Sequence, residues 1–148
     1  MDDSERNVEV QRLAADLFDV AGAMRRDGEA IARTEGQTQA RWQVMWIAAA
    51  GRLSVPAIAR RLGLVRQSVQ RVADELVRDG LAAFETNPDH SRSPLLVLTD
   101  RGAAVLDRLN DAASQQNLEL AQELGDAGLR HLRALLDQVR RALAARGP

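Results

Sequence analysis

Residues 66–71 read Arg-Gln-Ser-Val-Gln-Arg, a cluster of hydrogen-bonding side chains around one valine. Arg matches the paired acceptors of guanine in the DNA major groove, Gln matches the acceptor and donor of adenine, and Ser suits either. Val69, Val72, Ala73 and Leu76 recur at helical spacing, which predicts a helix with those four residues buried. Gln67, Ser68, Gln70 and Arg71 are then left on the free side, with Arg66 in the exposed first turn. The same helix turns acidic at Asp74 and Glu75, which suit solvent better than phosphate. Beyond it, the turn-rich run Asn87–Pro94 (NPDHSRSP) carries a single arginine, Arg92, near His90. His90 is expected to order this loop or to touch phosphate, and a lone loop arginine suits a narrow minor groove.

Other chemistries find little material. The two histidines, His90 and His131, have no metal-ligand spacing to each other, and there is no cysteine. Disulfides, thiolate metal sites and thiol redox sensing are therefore excluded. No Gly-rich phosphate loop or serine-nucleophile motif occurs. The expectation is no catalytic residue, no metal, no cofactor and no enzyme. One further cluster is aromatic. The segment TQARWQVMWIAAAG carries both tryptophans of the chain, Trp42 and Trp46, together with Met45. With Phe18 as an opposite wall, these residues suit core packing and also the lining of an apolar ligand pocket, two compatible roles. Arg41 is placed either in solvent or opposite a ligand carboxylate.

These residues need a scaffold. Val55, Ile58, Ala59 and Leu62 form a first short helix with Ser54 as its N-cap and Pro56 in its first turn. A Gly-containing break at Leu62-Gly63-Leu64 joins it to the helix of residues 66–78, giving a helix-turn-helix. Leu81–Thr86 has strand character and Leu95–Leu98 is a short apolar strand, so Asn87–Pro94 between them is a wing. Thr99 then caps a long helix from Asp100 to about Leu124. Gly125–Gly128 breaks it, and a last helix runs from about Leu129 to Ala145. Upstream, a helix is expected from about Val8 to Arg33 with an apolar stripe through Val10, Leu13, Leu17 and Met24. The next helix follows a break at Gly36-Gln37, is capped by Thr38, and ends near Gly51. The terminal helices carry more apolar surface than one winged core needs, which argues for a partner; symmetric dimers are the commonest homo-oligomers.

The run from Ser54 through Gly102 resembles the MarR family of bacterial transcriptional regulators. The matching features are the RLGL turn, the R-x-S-V-x-R start of the second helix, L-x-x-x-G-L ahead of the wing, and L-T-x-x-G after it. The resemblance implies a mainly α (α+β) fold: a winged helix-turn-helix over about 38–99 with dimerisation helices over about 8–35 and 100–146, in one domain. It implies a homodimer reading a pseudo-palindromic operator on double-stranded DNA, with the second helix in the major groove and the wing in the minor groove. It also implies a repressor released by a small aromatic or phenolic ligand. Two positions depart from the family pattern. An Asp commonly precedes the second helix, where this chain has Val65; and Asp-Arg-Arg commonly forms the wing tip, where it has His90-Ser91-Arg92. The family's minor-groove arginine therefore maps to Arg92, and Asp89 is the candidate substitute for the missing wing carboxylate.

Composition is compatible but does not advertise the partner. Net charge is −1 and all 20 basic residues are arginine. Residues 1–51 hold 6 Arg against 9 acids, residues 52–101 hold 8 against 6, and residues 102–148 hold 6 against 6. The small basic excess coincides with the motif, so anchoring on DNA rests on a few placed arginines rather than bulk charge. The acidic N-terminus is not signal-like and no stretch is long and apolar enough for a membrane span, so a cytoplasmic protein is expected. The competing expectation is a winged-helix module that binds protein and no specific DNA.

Overall fold

The computed structural model describes residues 1–146. Helix α1 (Asp3–Thr34) starts earlier than Val8 because the polar N-terminus is a cap and not a tail. The Asp2 carboxylate accepts from the Glu5 N–H at 2.8 Å, and the Asp2 N–H donates to Glu5 Oε2 at 2.7 Å, a reciprocal capping box. Helix α2 (Gln39–Ala50) is capped as expected, with Thr38 Oγ1 accepting from the Arg41 N–H at 3.2 Å.

Five further elements follow: β1 (Leu53–Ser54), α3 (Val55–Leu62), α4 (Arg66–Arg78), β2 (Ala82–Glu85) and β3 (Leu95–Leu98); α5 (Asp100–Ala144) closes the order. The three strands form one antiparallel sheet in the order β1-β3-β2. Leu53 faces Leu96, Ser54 faces Leu95, and Phe84 also faces Leu96. Strand β1 carries no signal in the sequence, since two residues show no periodicity and only pairing with β3 defines them. Ser54 has the extended backbone of an N-cap, but its side chain makes no capping hydrogen bond.

The core of this part draws on every element. Met45 of α2, Ile58 of α3, Leu76 of α4, Leu96 of β3 and Leu109 of α5 are fully buried, each contributing about 1.5–3 kcal/mol relative to exposure. The junction after β3 is tight. Thr99 Oγ1 donates to the Gly80 carbonyl at 2.8 Å and accepts from the Gly102 N–H at 3.1 Å, while the Thr99 N–H donates to the Leu81 carbonyl at 3.1 Å. A Cβ on Gly102 would lie 1.8 Å from that same Leu81 oxygen. The L-T-x-x-G sequence is thus a knot between the end of α4 and the start of α5, and its last position has room only for hydrogen.

The chain divides into two compact units, Met1–Asn110 and the part from Asp111 onward. In the first, α1 buries only Ile31 and Ala32; Val8, Val10, Leu13, Val20 and Met24 stand exposed. In the second, α5 exposes Leu118, Leu120, Leu132, Leu135, Leu136 and Leu143. The break expected over residues 125–128 is confined to Gly125, whose φ of 64° and ψ of 161° interrupt the helix for a single residue.

Candidate nucleic-acid interface

Helices α3 and α4 meet through a turn that Gly63 makes possible. Its φ is +65°, a left-handed conformation that other residues adopt at a cost. The Gly63 N–H donates to the Arg60 carbonyl and the Leu64 N–H to the Ala59 carbonyl, which satisfies the end of α3 and redirects the chain into α4. Val69, Ala73 and Leu76 are buried beneath α4. Arg66, Gln67, Ser68 and Arg71 are exposed, and Gln70 is half-buried.

The outward residues are not equivalent. The Gln70 amide donates to Asp74 Oδ1 at 2.8 Å, so the side chain is engaged along its own helix. The side chains of Arg66, Gln67, Ser68 and Arg71 make no hydrogen bond among the described residues. Arg71 also lines a cleft of about 790 Å³ between α1, α2 and α4. Arg25, Arg26 and Glu29 of α1, Thr38 at the cap of α2, and Glu75 of α4 share its walls.

The wing is ordered by Asn87. Its side-chain amide donates to the Ser93 carbonyl at 2.9 Å, and its Oδ1 accepts from the Asp89 N–H at 3.1 Å. Asp89 takes part through its N–H alone among the described residues, so the loop's internal bonding runs through Asn87 and not the carboxylate. The His90 carbonyl accepts from the Ser93 N–H at 2.9 Å. His90 therefore braces the loop by backbone, and its side chain is exposed alongside Arg92.

The five residues expected around a ligand do not gather about one cavity. Met45 is sealed in the core. Trp42 packs on that core and its indole N–H donates to Asn110 Oδ1 at 3.2 Å. Phe18 is 79% exposed and Trp46 is 53% exposed. Arg41 is bonded to Asp79 at 2.6 Å, so its guanidinium already has a carboxylate. None of the five lines the arginine-rich cleft. The helical spacing that groups Trp42, Met45 and Trp46 in sequence sends them to three different surroundings. The Arg41–Asp79 pair and the cleft were both missed, because their members are separated in sequence and joined only by packing.

The chain is 48% identical over 140 residues to an uncharacterized protein of Mycobacterium tuberculosis, covering 95% of this chain and 98% of the relative. The MarR family model matches residues 30–93, from the end of α1 through the wing. The chain belongs to the MarR family. Solved structures agree on the fold. A cysteine-to-serine mutant of MarR from E. coli, complexed with operator DNA, superposes with a TM-score of 0.72 at 23% identity, over 94% of this chain and 99% of that one. NadR in complex with 4-hydroxyphenylacetate superposes with a TM-score of 0.79 at 19% identity, over 86% and 91%. The fold and the MarR family membership are those of transcription regulators and not of enzymes. No helix among the described residues is long and apolar enough to cross a membrane.

Proposed function

We propose that this MarR-family protein is a homodimeric, ligand-responsive repressor that binds a pseudo-palindromic operator. The observation that carries the reading is the free face of α4, where Arg66, Gln67, Ser68 and Arg71 stand exposed with no side-chain hydrogen bond or ion pair among the described residues. Side chains of these types match guanine and adenine edges in the major groove. Arg92 on the wing supplies the cation for the adjoining minor groove. The apolar residues left exposed on α1 and α5 support burial against a second copy, as contiguous exposed apolar surface marks an interface. Two-fold pairing would set two recognition helices about 34 Å apart, matching successive major grooves.

Ligand response is assigned to the arginine-rich cleft, in place of the tryptophan pair. Arg71 belongs both to this cleft and to the base-reading face. An aromatic carboxylate held there competes with DNA for Arg71, giving the differential affinity that a switch requires. The likeness to NadR, solved with a phenolic carboxylate, supports that ligand class.

The test is a mobility-shift titration of the duplex upstream of the protein's own gene, between about 50 and 200 mM salt, against a random duplex of equal length. Tighter binding to the upstream duplex, lost on adding 4-hydroxyphenylacetate, is the expected result. Equal affinity for both duplexes would remove the operator reading and favour a protein-binding winged helix.

A further inference from the structure

The turn before α4 presents an apolar pair to solvent. Val65 is 69% exposed and Leu64 is 47% exposed. Val65 is also the N-cap of α4, with an extended backbone and no side-chain capping bond. Valine is among the poorest N-caps, and Ser, Thr, Asp or Asn there would bind a free amide of the first turn. The residue thus weakens the helix it begins and gains almost no burial within the chain. Its surroundings say what it meets. Arg60 and Arg61 end α3, Arg66 begins α4, and all three are exposed. None of them is in an ion pair among the described residues. Gln67 and Ser68 follow directly, also exposed. An apolar pair flanked by unpaired cations and base-matching amides fits a surface whose rim is anionic and whose floor holds an isolated apolar group. The DNA major groove has that composition: phosphates line it, and the C5-methyl of thymine is the apolar feature on its floor.

We propose that Val65, with Leu64 beside it, reads thymine methyl groups at the edge of each half-site, making this turn a specificity element of the chain. The inference rests on the operator-binding reading above. Arg60 and Arg61 hold the phosphates beside the turn, Arg66 stays with the base-reading face, and Val65 rewards an A·T pair whose thymine points toward the turn. Apolar contact is the one interaction that separates thymine from cytosine without using a donor or acceptor.

The experiment selects duplexes from a random pool with the wild-type protein, then replaces each thymine of the best duplex by deoxyuridine, which removes only the methyl. Fluorescence anisotropy reads the affinities. At one position per half-site the replacement should weaken wild-type binding by about fourfold, the burial of a single methyl-sized group. Val65→Ser should bind the thymine and deoxyuridine duplexes equally. Because serine is the better N-cap, that variant should melt no lower than wild type, so lost discrimination cannot come from misfolding. A Val65→Ser protein that keeps the wild-type ratio overturns the proposal, as does a wild type indifferent to every replacement. Failure to enrich any duplex from the pool overturns operator binding itself, and this inference with it.

Discussion

Arg41 on α2 and Asp79 at the end of α4 form an ion pair of 2.6 Å across 38 residues of chain. The Asp79 carbonyl also accepts from Arg101 Nη1 of α5 at 3.1 Å. The far end of α4 is thereby held from both neighbours, which fixes the angle at which its N-terminal half projects. The partners differ in burial, with 14% of the Arg41 side chain exposed against 45% of Asp79.

That asymmetry predicts unequal mutational costs. Arg41→Met keeps the aliphatic packing and strands a carboxylate that water can reach, so it should cost less than about 1 kcal/mol. Asp79→Ala leaves a largely buried guanidinium unpaired and should cost about 1–2 kcal/mol. Urea unfolding of both variants measures the difference. Equal costs would mean that the pair is screened like an ordinary surface contact.

Gly102 should be intolerant of any side chain. A Cβ there would meet the Leu81 carbonyl oxygen at 1.8 Å, and that oxygen belongs to backbone tied down by Thr99. Gly102→Ala is expected to lose about 3 kcal/mol, at the upper end of overpacking costs. A melting temperature within a few degrees of wild type would show that the α4–α5 junction can spread.

Base reading should divide between two glutamines of the same helix. Gln67 is exposed with no hydrogen bond from its side chain among the described residues, whereas Gln70 is bonded to Asp74. Gln67→Ala should reduce the preference for operator over random DNA by about 1–3 kcal/mol, and Gln70→Ala should leave that preference nearly intact. Competition titrations against random duplex distinguish them. If Gln67→Ala lowers both affinities alike, the residue contacts phosphate.

On the wing, Arg92→Ala should weaken operator binding by about 1–3 kcal/mol and lower the salt dependence by about one phosphate contact. Its thermal stability should be unchanged, because Asn87 and not Arg92 closes the loop. Undiminished affinity would take the wing out of the interface.

Assembly is checked by placing charge on both exposed apolar faces. The double variant Leu13→Glu, Leu135→Glu should sediment as a monomer or unfold, and should fail to shift the operator duplex. A wild-type protein that sediments as a monomer at micromolar concentration would refute the dimer.

What short-range physics controls is legible along the chain. Helical spacing marked Val69, Val72, Ala73 and Leu76 as the buried side of α4, of which Val72 is only half-buried, at the wall of the cleft, and Gly63 marked the turn before it. Thr38 and Thr99 capped the helices they were expected to cap. The Asp2–Glu5 capping box carries the same kind of local signal, an acid followed three residues later by Glu, yet the apolar stripe alone places the helix start only at about Val8. The remainder follows from how whole elements pack. Strand β1 exists only because Leu53 and Ser54 find Leu96 and Leu95. Trp42, Met45 and Trp46 share one short helix yet end beside Asn110, inside the core and in solvent. Arg41 and Asp79 meet across 38 residues of chain, and the cleft beside Arg71 draws on three helices. Periodicity and caps act within a few residues and leave a local signature. Which side chain faces which neighbour depends on how whole elements pack, and no single stretch of chain encodes that.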